Sequence, residues 1–178
     1  MKKTSIIVVN YKTLDFLKKC IESVKKHTRN YELIIVDNGS NNLSTDEFIK
    51  ANADQYIFNS LNVGFAKANN EGARIAEEEL LCFLNSDTEV TKGWLSSMIK
   101  TMEKNPKCVA VGPLGNPKHK VLDGIMYSLQ QYKGQYKEDT QVGFLSGFCL
   151  LIKSEIFERF EFDEDFELGL FEDNLLCE

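Results

Sequence analysis

Histidine is nearly absent from this sequence, and glycine-rich phosphate loops are missing altogether. Only His27 and His119 occur among 178 residues. A histidine-based metal centre and a Ser-His-Asp triad therefore find no support in the composition. The first apolar run ends Val9-Asn10-Tyr11-Lys12 rather than in Gly-x-Gly-x-x-Gly, which disfavours a dinucleotide Rossmann site, and no Walker motif occurs. Long hydrophobic runs are lacking too. Lys2 and Lys3 precede an apolar stretch that Asn10 and Lys12 cut short, too short for a signal peptide or a membrane span. Positive charge is in deficit, with 21 Lys and Arg against 27 Asp and Glu and a net charge of -6. That balance argues against a nucleic-acid partner. It leaves a nucleotide ligand open, because a divalent cation can bring the missing positive charge. None of the five cysteines, Cys20, Cys82, Cys108, Cys149 and Cys177, is paired at metal-ligand spacing. They read as free thiols in a reducing compartment. The expected location is the cytoplasm, with peripheral attachment to the inner membrane face through a partner as the alternative.

What is present is an alternation of strand and helix signals. A hydrophobic content of 43% and a charged content of 27% are ordinary for a globular protein. The length predicts a single domain, residues 1–178, that buries roughly 70% of its unfolded surface. Ser5 to Val9, Tyr31 to Val36, Tyr56 to Phe58, Leu80 to Leu84 and Cys108 to Val111 read as strands. Between them, Leu14, Leu17, Ile21 and Val24 recur at helical spacing behind a Thr13 cap. Ser44-Thr45-Asp46-Glu47 reads as a capping box. Gly64 to Glu79 and Gly93 to Lys104 read as further helices. The alternation predicts an α/β fold with a mostly parallel central sheet flanked by helices. Leu114 to Gln141 is polar and turn-rich, and is expected to be a long loop. Phe144 to Ile152 then reads as a strand and Ser154 to Phe160 as a helix. The chain stops at Glu178, in what reads as the first turn of another helix, so a C-terminal truncation is expected.

Two aspartates, Asp37 and Asp87, stand where apolar strands run out. An open parallel sheet holds its ligands beyond the carboxyl ends of its strands. Each aspartate alone is better read as a turn or cap residue. The pair, with Asn38-Gly39-Ser40 after one and Asn85-Ser86 before the other, points to a polar and metal-assisted ligand site.

Several motifs in order resemble family 2 glycosyltransferases, with the bacterial rhamnosyltransferase-like enzymes as the branch of nearest resemblance. They are Ser5-Ile6-Ile7-Val8-Val9-Asn10-Tyr11, Ile35-Val36-Asp37-Asn38-Gly39-Ser40, Asn62-Val63-Gly64-Phe65-Ala66-Lys67-Ala68-Asn69-Asn70-Glu71-Gly72, Leu84-Asn85-Ser86-Asp87, Gly147-Phe148, Phe162-Asp163-Glu164 and Glu172-Asp173. The resemblance covers nearly the whole chain. It implies a GT-A nucleotide-sugar-binding fold and inverting transfer from a UDP- or dTDP-sugar to a saccharide or lipid-linked acceptor. It further implies that Asp37 contacts the pyrimidine base, with Val9, Asn10, Tyr11 and Asn38 lining the same pocket. Asn62, Gly64 and Asn69 would flank the ribose and sugar, and Asn85 and Ser86 the diphosphate. Asp87 would hold Mn²⁺ or Mg²⁺, with Asn85 standing where the family commonly has an earlier Asp. Asp173 would be the general base, with Glu172 in reserve. The family commonly carries another acid where Leu175 stands, and glycines where Arg159, Phe160 and Glu161 stand. Two other readings compete. One is a non-catalytic nucleotide-sugar-binding or scaffold protein on this fold. The other is a receiver-like domain, which would need acids where Asn10, Tyr11 and Lys12 stand.

Overall fold

Six strands form one sheet in the order β3-β2-β1-β4-β6-β5, in a computed structural model that describes residues 3–113, 139 and 145–165. β1 (Thr4–Asn10), β2 (Tyr31–Asp37), β3 (Gln55–Phe58) and β4 (Leu80–Leu84) run parallel. β5 (Ala110–Val111) and β6 (Cys149–Lys153) complete the sheet, with β6 antiparallel to both β4 and β5. Strands buried on both faces need apolar residues at every position, not at alternate ones. Ile6, Ile7, Val8, Leu33, Ile34, Ile35 and Val36 meet that demand and are buried without exception.

Helices cover both faces. α1 (Leu14–His27), α2 (Leu43–Asn52) and α4 (Trp94–Lys104) pack on one side, where Leu17, Ile21, Val24, Ile49, Leu95, Met98 and Met102 meet Ile6, Val8, Leu33 and Ile35. α3 (Phe65–Arg74) and α5 (Ser154–Phe160) lie on the other, with Ala66 and Phe157 against Ile7, Ile34 and Phe83. Each such side chain taken out of water contributes roughly 1.5–3 kcal/mol before entropy is counted. α3 sits unusually close to the sheet. A Cβ on Gly72 would lie 2.6 Å from Ile7 Cγ2 and 3.2 Å from Val36 Cγ2. Only a residue without a side chain allows that approach.

The chain builds β1, β2 and β3 outward in one direction, then returns through α3 to lay β4 on the other side of β1. The reversal opens a crevice between the carboxyl ends of β1 and β4, the place where open α/β sheets bind ligands. In register, Asn10 pairs with Asp37 and Asp37 with Phe58, so these residues stand in one row along the crevice edge.

Several local expectations need correction. The helix expected over Gly64 to Glu79 ends at Arg74. Residues beyond it are claimed by the sheet's amino end: Glu77 N–H donates to Glu32, Glu78 N–H to Ser5 Oγ, and Gln55 Nε2 to the Ile75 carbonyl. α2 is capped by Asn42, which accepts from Thr45 N–H at 3.2 Å, and not by Ser44. Thr13 occupies the α1 cap position without a capping bond, and its hydroxyl is turned to donate to Asn10 Oδ1 at 2.9 Å. β5 shrinks to two residues, since Cys108 N–H closes a turn onto the Asn105 carbonyl. β6 begins at Cys149 rather than Phe144, and residue 144 lies outside the described residues, as does all of the expected long loop but residue 139.

Candidate functional site

The strand β1 ends at Asn10, which is wholly buried and carries an amide with both donor and acceptor capacity. Asn10 Nδ2 donates to Asp37 Oδ1 at 2.7 Å and to Ser40 Oγ at 3.1 Å. Its Oδ1 accepts from Thr13, as above. The Thr13 hydroxyl hydrogen is thereby spent, so the 3.3 Å contact between Thr13 Oγ1 and Ser86 Oγ is a bond donated by Ser86. A continuous line of hydrogen bonds thus runs Asp37–Ser40–Asn10–Thr13–Ser86. It crosses the carboxyl ends of three strands and spans the crevice.

Asp37 anchors one end of this line. It is 2% exposed, and its carboxylate accepts three bonds within the chain. Asn10 Nδ2 and Ser40 Oγ reach Oδ1 at 2.7 and 2.6 Å, and Ser40 N–H reaches Oδ2 at 2.8 Å. A carboxylate offers about four acceptor positions, so one on Oδ2 remains for a ligand. Gly39 makes the turn possible. Its φ is +87°, and an added Cβ would fall 2.5 Å from the Leu61 carbonyl carbon. The second residue after β2 must be glycine for the 59–64 loop to close over it.

Asn38 organises that loop. Its Nδ2 donates to Asn62 Oδ1 at 2.8 Å and to the Gly64 carbonyl at 3.1 Å, while its Oδ1 accepts from Val63 N–H at 2.9 Å and from Asn59 Nδ2. All its capacity is used. Asn38 therefore acts as a scaffold for the turn that presents Asn62 and Gly64. Asn62 is exposed and Gly64 precedes α3 with a φ of +92°. Asn69 is buried on α3 and donates to the Phe65 carbonyl. Val9 is half-buried, and Tyr11 stands 40% exposed at the crevice mouth with the Lys12 ammonium 5.0 Å from its ring centroid.

Across the crevice, Asn85 N–H donates to the Phe148 carbonyl at 2.9 Å, and the Asn85 carbonyl accepts from Thr88 N–H at 3.0 Å and from the Cys20 thiol. Burial pushes that thiol up to about 12, and the Asp87 carboxylate adds to the effect, so Cys20 stays a donor here. Asn85 and Ser86 are half-buried, and Asp87 is exposed. Among the described residues no group of three or more His, Cys, Asp or Glu could enclose a metal ion. The oxygens of Asn85, Ser86 and Asp87 suit a hard cation that draws its other ligands from a diphosphate and water. Glu172 and Asp173, the expected base and its reserve, lie outside the described residues.

The motif reading passed over residues that bind the site together. Ser40 joins Asp37, Asn10 and Lys12 N–H, and Thr13 joins β1 to the Ser86 turn. Asn70, beside the expected Asn69, is wholly buried. Hydroxyls close behind a strand-end acid were the available signal for Ser40. Asn70 had none beyond its polarity on a helix packed against the sheet.

Comparison with known proteins agrees with this fold. S. aureus TarS (residues 1–349) superposes with a TM-score of 0.75 at 19% identity, over 98% of this chain and 54% of that one. The mannosyltransferase PcManGT from Pyrobaculum calidifontis, solved with GDP-Man and Mn²⁺, gives 0.73 at 18% identity over 98% of this chain and 50% of that one. In sequence, the glycosyltransferase GlyA of Streptococcus pneumoniae is 24% identical over 181 residues, 90% of this chain and 26% of GlyA. The putative glycosyltransferase EpsH of Bacillus subtilis is 30% identical over 101 residues, 54% of this chain and 29% of EpsH. The chain thus spans less than a third of the length of these two relatives. Among the described residues no helix is long and apolar enough to cross a membrane. Residues 5–160 match the family described as glycosyl transferase family 2, and the chain belongs to that family.

Proposed function

We propose that the protein transfers a sugar, with inversion, from a UDP- or dTDP-sugar to a hydroxyl of a saccharide or lipid-linked acceptor. The observation that carries the reading is the hydrogen-bonded line from Asp37 to Ser86 across the crevice, with Asp87 exposed beyond its far end. The remaining acceptor position on Asp37 Oδ2 suits the ring N–H of a uracil or thymine base. Tyr11 offers an exposed ring beside it, and Val9, Asn10 and Asn38 complete that end. Asn62, Gly64 and Asn69 border the position of the ribose and sugar. TarS has been solved with UDP and with UDP-GlcNAc, which supports a uridine donor. The GDP-Man complex of PcManGT makes guanosine the alternative to test.

Asp87 would hold Mn²⁺ or Mg²⁺, with Asn85 and Ser86 as neutral oxygen donors on the diphosphate side. When bound, the cation supplies Lewis-acid stabilisation of the departing diphosphate. Asp173 would take the proton from the attacking acceptor hydroxyl, with Glu172 as the reserve. Motif order alone supports a rhamnosyl donor and the rhamnosyltransferase-like branch. A lipid-linked acceptor would set the enzyme to work at the inner face of a membrane.

A thermal-shift series with UDP, dTDP, GDP and ADP, each with Mn²⁺ or chelator, tests the reading. A nucleotide at 100 times its Kd adds about 2.7 kcal/mol of stability. UDP or dTDP with Mn²⁺ should give the largest shift, and Asp87→Ala should abolish the metal dependence. Equal shifts from all four nucleotides, or none, would sink the proposal.

A further inference from the structure

We propose that Asn70 is a positioning residue of the donor site, seating Phe162 between the two elements that flank the crevice. The proposal rests on the nucleotide-sugar reading above. Asn70 lies on the buried side of α3 with no exposed surface. Its Oδ1 accepts from Phe162 N–H at 3.0 Å, and its Nδ2 donates to the Phe162 carbonyl at 2.8 Å and to Glu164 Oε1 at 3.1 Å. One amide thus pairs with both main-chain polar groups of a residue 92 positions away, as a neighbouring strand would. Few side-chain arrangements fix a segment so completely, because the two bonds set both its distance and its direction.

The ring held in this way is a wedge. Phe162 is 2% exposed and meets Phe65 at 5.9 Å, Phe83 at 4.9 Å and Phe157 at 5.3 Å between ring centroids. Phe65 opens α3, directly after Gly64. Phe83 is in β4, two residues before Asn85. The spacing between the Asn62–Gly64 turn and the Asn85–Asp87 turn is therefore set in part by where Phe162 sits. Asn70 sets that seat from below.

A second contact supports the same seat from its exposed side. Arg74, one turn on from Asn70, pairs with Glu161 and with Glu164 at 3.2 Å. Glu161 has a φ of +35°, a conformation that costs a residue with a Cβ about 1–3 kcal/mol and persists only where neighbours impose it. The Asn70 hydrogen bond, followed by that of Arg74, holds the Glu164 carboxyl below its ordinary range. The segment 161–164, strained at Glu161, is thus held by Asn70 and Arg74 of the donor-flanking helix, beside the Glu161 N–H bond to the Phe157 carbonyl.

The test separates seating from general stability. Asn70→Asp keeps the shape and one acceptor oxygen, removes the donor to the Phe162 carbonyl and sets a carboxylate against Glu164. Glu164→Gln in the same chain removes that repulsion and restores a donor to the new carboxylate. The readout is the Kd of whichever of UDP, dTDP and GDP shifts the wild type most. It is measured by calorimetry with Mn²⁺ on the full chain, at a temperature where circular dichroism shows every variant folded. Asn70→Asp should weaken binding about tenfold, Glu164→Gln alone less than twofold, and the double variant should stay weakened by at least about threefold, because the Phe162 carbonyl still lacks its donor. Should Asn70→Asp not fold, Arg74→Gln replaces it, with a weakening of a few-fold expected. A lower melting temperature with unchanged Kd, or a double variant that binds within about twofold of the wild type, overturns the seating role while the nucleotide reading stands. A wild type that binds none of the three nucleotides overturns both.

Discussion

Replacing Asp37 separates the two things that its carboxylate is placed to do. Asp37→Ala removes the acceptor for three donors that water scarcely reaches, since Asn10 has no exposed surface and Ser40 is 8% exposed. Ser40 N–H loses its partner outright, and Asn10 Nδ2 keeps only Ser40 Oγ at 3.1 Å. Hydrogen bonds to a charged group contribute about 1.5–3 kcal/mol each, but three that share one carboxylate do not add. A loss of about 4 kcal/mol is expected. At about 2–4 °C per kcal/mol for a chain of this size, the melting temperature should fall by about 8–16 °C. Asp37→Asn keeps an acceptor oxygen and turns an NH₂ toward a donor, so roughly half that loss is expected. Urea denaturation of both variants gives the free energies, and nucleotide calorimetry on the folded fraction gives the second readout. A stability change below about 0.5 kcal/mol in Asp37→Ala would refute the hydrogen-bonded line as a structural element. If Asp37→Asn is destabilised but binds UDP like the wild type, the aspartate frames the pocket without touching the base.

Two further outcomes are expected. Gly39→Ala should cost about 3 kcal/mol in chemical denaturation, because both its φ of +87° and the 2.5 Å approach to Leu61 oppose a Cβ, and a cost under about 1 kcal/mol would show that the 59–64 loop can move away. Glu32 governs an acid-side dependence: burial pushes its carboxyl up, but bonds from Ser5, Gln55 and Glu77 N–H outweigh that and leave it lowered. A lowered carboxyl contributes stability above its unfolded value and loses it as pH falls through the folded one, so Glu32→Gln should be less stable at pH 7 and flatter than wild type toward acid. Parallel stability curves for the two proteins between pH 7 and pH 3 would refute that role.

The parts of this fold that were legible in the sequence are those whose physics is local. β1, β2 and β4 are buried on both faces, so their apolar runs announce them without knowledge of their neighbours. The carboxyl-end placement of Asp37 and Asp87 follows from the strands alone. What was illegible depends on distant partners. The reversed direction of β6 is fixed by pairing with β4, and nothing in Cys149–Lys153 encodes an orientation. α3 stops at Arg74 because Glu32, Ser5 and Gln55, far away in sequence, capture the chain beyond it. Asn42 displaced Ser44 as the α2 cap because either is chemically suited and only the chain's entry angle decides. In the site, Asn69 was singled out by motif and Asn70 was not, although Asn70 is the one that reaches across 92 positions.

Between Asp37 and Asp87, the floor of the crevice is made of amides and hydroxyls: Ser40, Asn10, Thr13, Asn85 and Ser86. None of these groups gains or loses a proton in the range where proteins operate. Fixed dipoles over such short distances also lie inside the Debye length of about 8 Å at physiological ionic strength, where mobile ions screen little. The floor therefore keeps the same pattern of donors and acceptors through swings of acidity and salt that would remodel a pocket lined with lysines and carboxylates. Its recognition is written in geometry.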